Sequence, residues 1–107
     1  MARKKTELVC LYWDDVNEFI KTLTSISQIN RIQIICLLRQ NKTMPVNDIV
    51  EKLKLRQNLV SHHLWELKKV GILEAKRAWK QIFYSINEEF YKKFVDWMDE
   101  FFKWEIK

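Results

Sequence analysis

Glycine and proline occur once each, at Gly71 and Pro45, in a chain of 107 residues. So few chain-bending residues exclude a low-complexity or loop-rich polymer and leave an ordered, mostly helical domain. Glycine-rich phosphate loops are excluded with them. Cysteine is nearly as scarce, since Cys10 and Cys36 are too few for a disulfide framework. The expected compartment is therefore the reducing cytoplasm. Apolar runs such as Ile34–Leu38 are far too short to span a bilayer, so no membrane association is expected. The basic start, Met1–Lys5, lacks the uniform apolar stretch and small-residue cleavage site of a secretory signal. The length suits one domain, residues 1–107, around one core.

Positive charge is present but unevenly placed. The formal net charge is +5, and the excess sits in residues 52–80. There Lys52, Lys54, Arg56, Lys68, Lys69, Lys76, Arg77 and Lys80 face only Glu66 and Glu74. A charge run is ordinarily a solvated face; one confined to a segment that also looks like a reading element points to nucleic acid.

Apolar spacing divides the chain into five helices. Leu8, Val9, Tyr12, Val16, Phe19, Ile20 and Leu23 recur at three- and four-residue steps, predicting an amphipathic helix over about 8–26. Residues 29–39 are apolar nearly all round, predicting a helix enclosed by the core. Asn41–Thr43 reads as a turn, and Pro45 suits the first turn of a third helix ending near Leu53. A fourth helix, about 57–70, carries Val60, Leu64 and Leu67 on one stripe, and Gly71 stands where its C-cap needs a left-handed residue. Ile72-Leu73 and Gln81–Ile86 read as two strands separated by a basic Glu74–Lys80 tip. Asn87 is a candidate N-cap for a last helix over about 88–105, with Glu88 and Glu89 at its positive end.

The last helix is crowded with large side chains. One terminal helix of a small domain cannot bury all of them against its own fold, so Phe94, Trp97, Met98, Phe101 and Phe102 are candidates for a dimer interface. The helix pair followed by a basic hairpin predicts a mainly α fold with a small β-hairpin wing over about 72–86, a winged helix–turn–helix. With Val60, Leu64 and Leu67 inward, the outer face of the fourth helix presents Gln57, Asn58, Ser61, His62 and Trp65. Gln and Asn pair bidentately with adenine, and Ser and His bond to bases or phosphates. Arg56, Lys76, Arg77 and Lys80 suit phosphate or minor-groove contact. The expected partner is double-stranded DNA, and no cofactor is expected. Ser61 and His62 do not form a catalytic pair, because neighbours on a helix point apart, so no enzyme activity is expected.

The stretch Ile26–Ile86 resembles the ArsR/SmtB family of bacterial and archaeal repressors. Residues 31–38, RIQIICLL, are similar to that family's buried second helix, and residues 55–71, LRQNLVSHHLWELKKVG, to its recognition helix. Residues 72–86 are similar to its wing, down to the closing strand IFYSI. The resemblance implies a homodimer formed by the helices at about 8–26 and 88–105, set on a partly palindromic operator. It also implies that Gln57, Asn58, Ser61 and His62 occupy DNA-facing positions, while His63, one place further round, is expected to pack or cap. Three positions depart from the pattern. Ile29 stands where the family commonly has Pro, Arg56 replaces a Ser or Thr cap, and Ala78 and Trp79 occupy a wing tip where Gly is common. Trp79 is expected to pack the wing onto its own domain, the alternative being a wedge in the minor groove.

Repressors of this family commonly respond to a metal or a reactive effector. The family's thiolate site needs Cys-x-Cys at the third helix, where this chain reads Met44-Pro45-Val46-Asn47-Asp48. Its other site needs histidine on the last helix, and residues 88–107 have none; Asp96, Asp99 and Glu100 there read as a solvated acidic face. No metal site is expected. Cys36 resembles the second-helix cysteine of the persulfide- and oxidant-sensing branch, and Cys10 is its one possible partner in the chain. Its spacing from Ile29 and Ile32 nevertheless predicts a buried core cysteine. The alternatives to a plain repressor are a thiol- or oxidant-responsive one and a winged-helix protein–protein interaction module.

Overall fold

The computed structural model describes residues 13–103. Five helices and three strands run in the order α1 (Trp13–Ile26), α2 (Ile29–Asn41), β1 (Thr43–Pro45), α3 (Val46–Leu53), α4 (Gln57–Val70), β2 (Leu73–Ala78), β3 (Gln81–Ile86) and α5 (Glu88–Lys103). The expected parts of the first and last helices beyond these limits, with Cys10, lie outside the described residues.

Each boundary has a local cause. Gly71, at φ 101°, ends α4 with its N–H donating to the Lys68 carbonyl at 3.0 Å, while the Ile72 N–H reaches the Leu67 carbonyl at 3.2 Å. This pair of bonds is a Schellman closure, and its apolar partners, Ile72 and Leu67, are both fully buried. A Cβ at residue 71 would stand 3.2 Å from two ring carbons of Phe90, so glycine also admits α5 close by. Asn87 caps α5 as expected, accepting the Phe90 N–H on its side-chain oxygen at 3.2 Å.

The hairpin is part of a larger sheet than expected. β1 pairs antiparallel with β3, Met44 opposite Tyr84, giving a three-stranded sheet in the order β1-β3-β2. Asn41–Thr43 is thus not merely a turn, and Pro45 ends an edge strand in extended conformation (ψ 160°) before α3 begins. Three residues ending in Pro carry no period from which a strand is readable. β2 is also longer than Ile72-Leu73, extending the wing to a two-residue turn at Trp79-Lys80.

The main core gathers Ile34, Leu38, Ile49, Val60, Leu64, Leu67 and Ile72 with Met44 and Ile86 from the sheet. A second cluster joins Phe19 of α1 to Phe94 and Trp97 of α5, with ring centroids 5.8 and 6.1 Å apart. α2 is not enclosed on every side. Its buried stripe is Arg31, Ile34, Ile35 and Leu38, whereas Ile29 is 73% exposed, Ile32 47%, and Cys36 is exposed. A domain this small covers one face of the helix only. The predicted burial of Cys36 is therefore wrong, because it lies on the open face, and so is the all-round enclosure of α2.

Candidate nucleic-acid interface

α4 turns its apolar stripe fully inward: Val60, Leu64 and Leu67 are 0% exposed. Its 3.6-residue period then leaves Gln57, Asn58, Ser61, His62 and Trp65 on the outer face, all exposed in the structure. Asn58 accepts the Leu59 N–H on its side-chain oxygen at 2.9 Å, which steadies the first turn and leaves its amide NH2 to donate. Trp65, 55% exposed, carries the Lys69 ammonium 4.6 Å from its ring centroid. The first turn of α4 contains no acidic residue, so the positive end of its dipole stays open to an anion. Arg56 precedes it in extended conformation with no side-chain capping bond.

The wing adds charge beside this helix. Register pairs Lys76 with Phe83 and Arg77 with Ile82, so the two cations project from opposite faces of the ribbon. Lys80 follows in the turn. Pro45, Val46, Asn47, Gln57, Lys80, Gln81 and Ile82 line a groove of about 190 Å³. Gln57 from α4 and Lys80 from the wing thus share one concave wall, a juxtaposition invisible in sequence. Among the described residues, the ion pairs Lys69–Glu66, Lys93–Glu18 and Lys103–Asp99 engage none of Arg56, Lys76, Arg77 or Lys80. These cations are available to phosphates.

Behind the reading face lies a polar contact that periodicity does not reveal. His63, 5% exposed, accepts the Arg31 Nε–H on Nδ1 at 3.0 Å, and Arg31, 7% exposed, donates from its guanidinium to the Ser25 carbonyl at 2.9 Å. The packing expectation for His63 thus takes a definite form, in which the imidazole of α4 is tied through α2 to the end of α1. Burial, then the Arg31 charge, then His62 hold the His63 pKa below the ordinary value of 6.5. Arg31 was missed because an arginine within an apolar run reads as solvent-facing.

Trp79 departs from expectation. Its ring does not pack against the domain but is 95% exposed, and its backbone has φ 60°. Of the interface candidates, Phe94 and Trp97 pack against Phe19 within the chain, and Met98 is half-buried. Phe101 and Phe102 remain 54% and 71% exposed, near in character to Ile20 and Val95 at 52% and 42%. Among the described residues no cluster of three or more His, Cys, Asp or Glu suits a metal ion, and no helix is long and apolar enough to cross a membrane.

Comparison with known proteins gives this arrangement a family. Residues 30–75 match the family model for bacterial regulatory proteins of the arsR family. An uncharacterized HTH-type transcriptional regulator of Methanocaldococcus jannaschii is 39% identical over 70 residues, covering 65% of this chain and 79% of the relative. The transcriptional repressor PagR of Bacillus anthracis is 34% identical over 74 residues, 69% of this chain and 71% of PagR. The PagR crystal structure superposes with a TM-score of 0.69 at 26% identity, covering 80% of this chain and 98% of that one. The solution structure of a homodimeric winged helix–turn–helix DNA-binding domain from Mycobacterium bovis gives 0.68 at 24% identity, covering 78% of each chain. By these matches the chain belongs to the ArsR family of winged helix–turn–helix transcriptional regulators.

Proposed function

We propose that this regulator is a homodimeric, cytoplasmic repressor that reads double-stranded DNA at a partly palindromic operator and has no catalytic role. The observation that carries it is the groove that Gln57, at the start of the exposed polar face of α4, shares with the unpaired cation Lys80 of the wing. In this reading Gln57, Asn58, Ser61 and His62 contact base edges or phosphates in the major groove, with Trp65 behind them. Arg56, Lys76, Arg77 and Lys80 neutralise the flanking backbone. Phe101 and Phe102, with Ile20 and Val95, supply the apolar surface for a second copy, since that much exposed aromatic area is costly in a monomer. A protein–protein module gives no reason for Arg56, Lys76, Arg77 and Lys80 to stand unpaired on α4's flank and the wing. The test is a gel shift on DNA upstream of the chain's own gene at several salt concentrations. A specific shift whose affinity falls steeply with salt supports the reading; no specific shift, or no salt slope, removes it.

Exposure of Cys36 favours one variant of the same function, a repressor released by thiol oxidation. DNA affinity measured with and without a mild oxidant, with Cys36→Ser as control, decides it: unchanged affinity in the native chain retires the thiol response.

A further inference from the structure

The wing tip bears a residue whose placement packing does not explain. Trp79 occupies the first of the two turn positions between β2 and β3, where a positive φ ordinarily selects Gly, Asn or Asp. It holds φ 60° and leaves its indole 95% in water. Backbone strain and solvent exposure of a large ring both work against stability, and no contact among the described residues offsets either. The arm beneath the ring is long. From the buried Leu73 at its base to Ala78, at about 3.3 Å per residue, β2 reaches about 17 Å. Lys76 and Arg77 stand on opposite faces of β2 just below the turn, and Lys80, within it, lines the groove shared with Gln57 at the start of α4.

We infer that Trp79 is a DNA wedge. It enters the minor groove beside the major-groove site of α4 and inserts against a partly opened base step, while the three cations meet the flanking phosphates. This rests on the DNA-binding reading above and adds to it a base-unstacking contact. Charge decides the occupant: an apolar protein pocket would strip water from three cations without compensation, whereas phosphates neutralise them. A minor groove about 6 Å wide and 7.5 Å deep is within reach of the arm, and apolar wedges are the side chains that unstack steps there.

The test uses the full chain and a duplex that the native protein selects from a random-sequence pool, with 2-aminopurine moved through the positions flanking the major-groove site. Native protein should brighten 2-aminopurine at one step in each half-site, reporting unstacking. Trp79→Ala should bind about tenfold more weakly and lose that emission while keeping the native salt slope. Trp79→Phe should retain most of both. Trp79→Gly, which relaxes the turn, should still bind weakly, separating loss of the ring from damage to the hairpin. Native affinity and emission in Trp79→Ala and Trp79→Gly would overturn the wedge, as would native protein that brightens no position. Tryptophan emission that shifts with phosphatidylglycerol vesicles but not with the duplex would overturn it in favour of a lipid surface. Failure to select any duplex would remove the DNA reading itself, and the wedge with it.

Discussion

Acidification should weaken this domain through His63, and a single substitution should remove that part of the loss. The folded imidazole is neutral, since its Nδ1 accepts the Arg31 Nε–H at 3.0 Å, and a proton there would turn acceptor into donor against a guanidinium. Its pKa is depressed by burial first, then by Arg31 and His62, from the ordinary 6.5 retained when the chain unfolds. Below pH 6.5 the unfolded chain therefore binds a proton that the folded chain refuses, so stability is fully present above 6.5 and falls as pH drops toward the folded pKa. Between about pH 7.5 and about pH 5.5, each full pH unit over which the unfolded chain binds this proton and the folded ring does not costs about 1.4 kcal/mol. In a domain of this size that is a drop of about 5–10 °C in Tm. Thermal melts by circular dichroism at the two pH values, at one protein concentration, give the measurement for native protein and His63→Gln. The Gln side-chain oxygen accepts from Arg31 and does not titrate, so the variant should lose less Tm on acidification. Equal losses in the two proteins would refute the account of a ring held neutral by burial and Arg31.

The Gly71→Ala variant should be destabilised by about 1 kcal/mol in a denaturant titration, since about 1–2 kcal/mol of left-handed strain outweighs about 0.4–1 kcal/mol of reduced unfolded-state entropy. The new Cβ must also displace Phe90, 3.2 Å away, and unchanged stability would contradict the capping role. Lys80→Ala should leave stability unaltered and lower the salt slope of DNA binding by about 0.9 per protomer, as loss of one phosphate contact requires. Phe102→Lys should shift sedimentation from dimer to monomer; burying each copy of this 71% exposed ring is worth about 1.5–3 kcal/mol, so doubling by the two-fold axis raises the dissociation constant at least about a hundredfold.

Much of α4 and its flanking caps was legible because it is local. The stripe Val60, Leu64, Leu67 follows from a 3.6-residue period, and both limits of α4 agree with it; Gly71 and Asn87 act as caps through bonds to near neighbours in the chain. Features set by distant contacts were misread. β1 becomes a strand only because β3 lies beside it, and Ile29, Ile32 and Cys36 face outward because none of the described elements covers that side of α2.

The amino-acid sequence alone determined the family, the order of the helices and the outward face of α4, since each depends on spacing within one turn or one strand. Tertiary structure decided which charges remain unpaired among the described residues, that Gln57 and Lys80 share a groove, that Arg31 is buried against His63, and that Phe94 and Trp97 pack against Phe19. It also decided that Trp79 stands free at the end of its arm. The physical reason is the same throughout. Periodicity tells which side of an element is apolar, but burial depends on what stands opposite, and only the folded chain brings the two together.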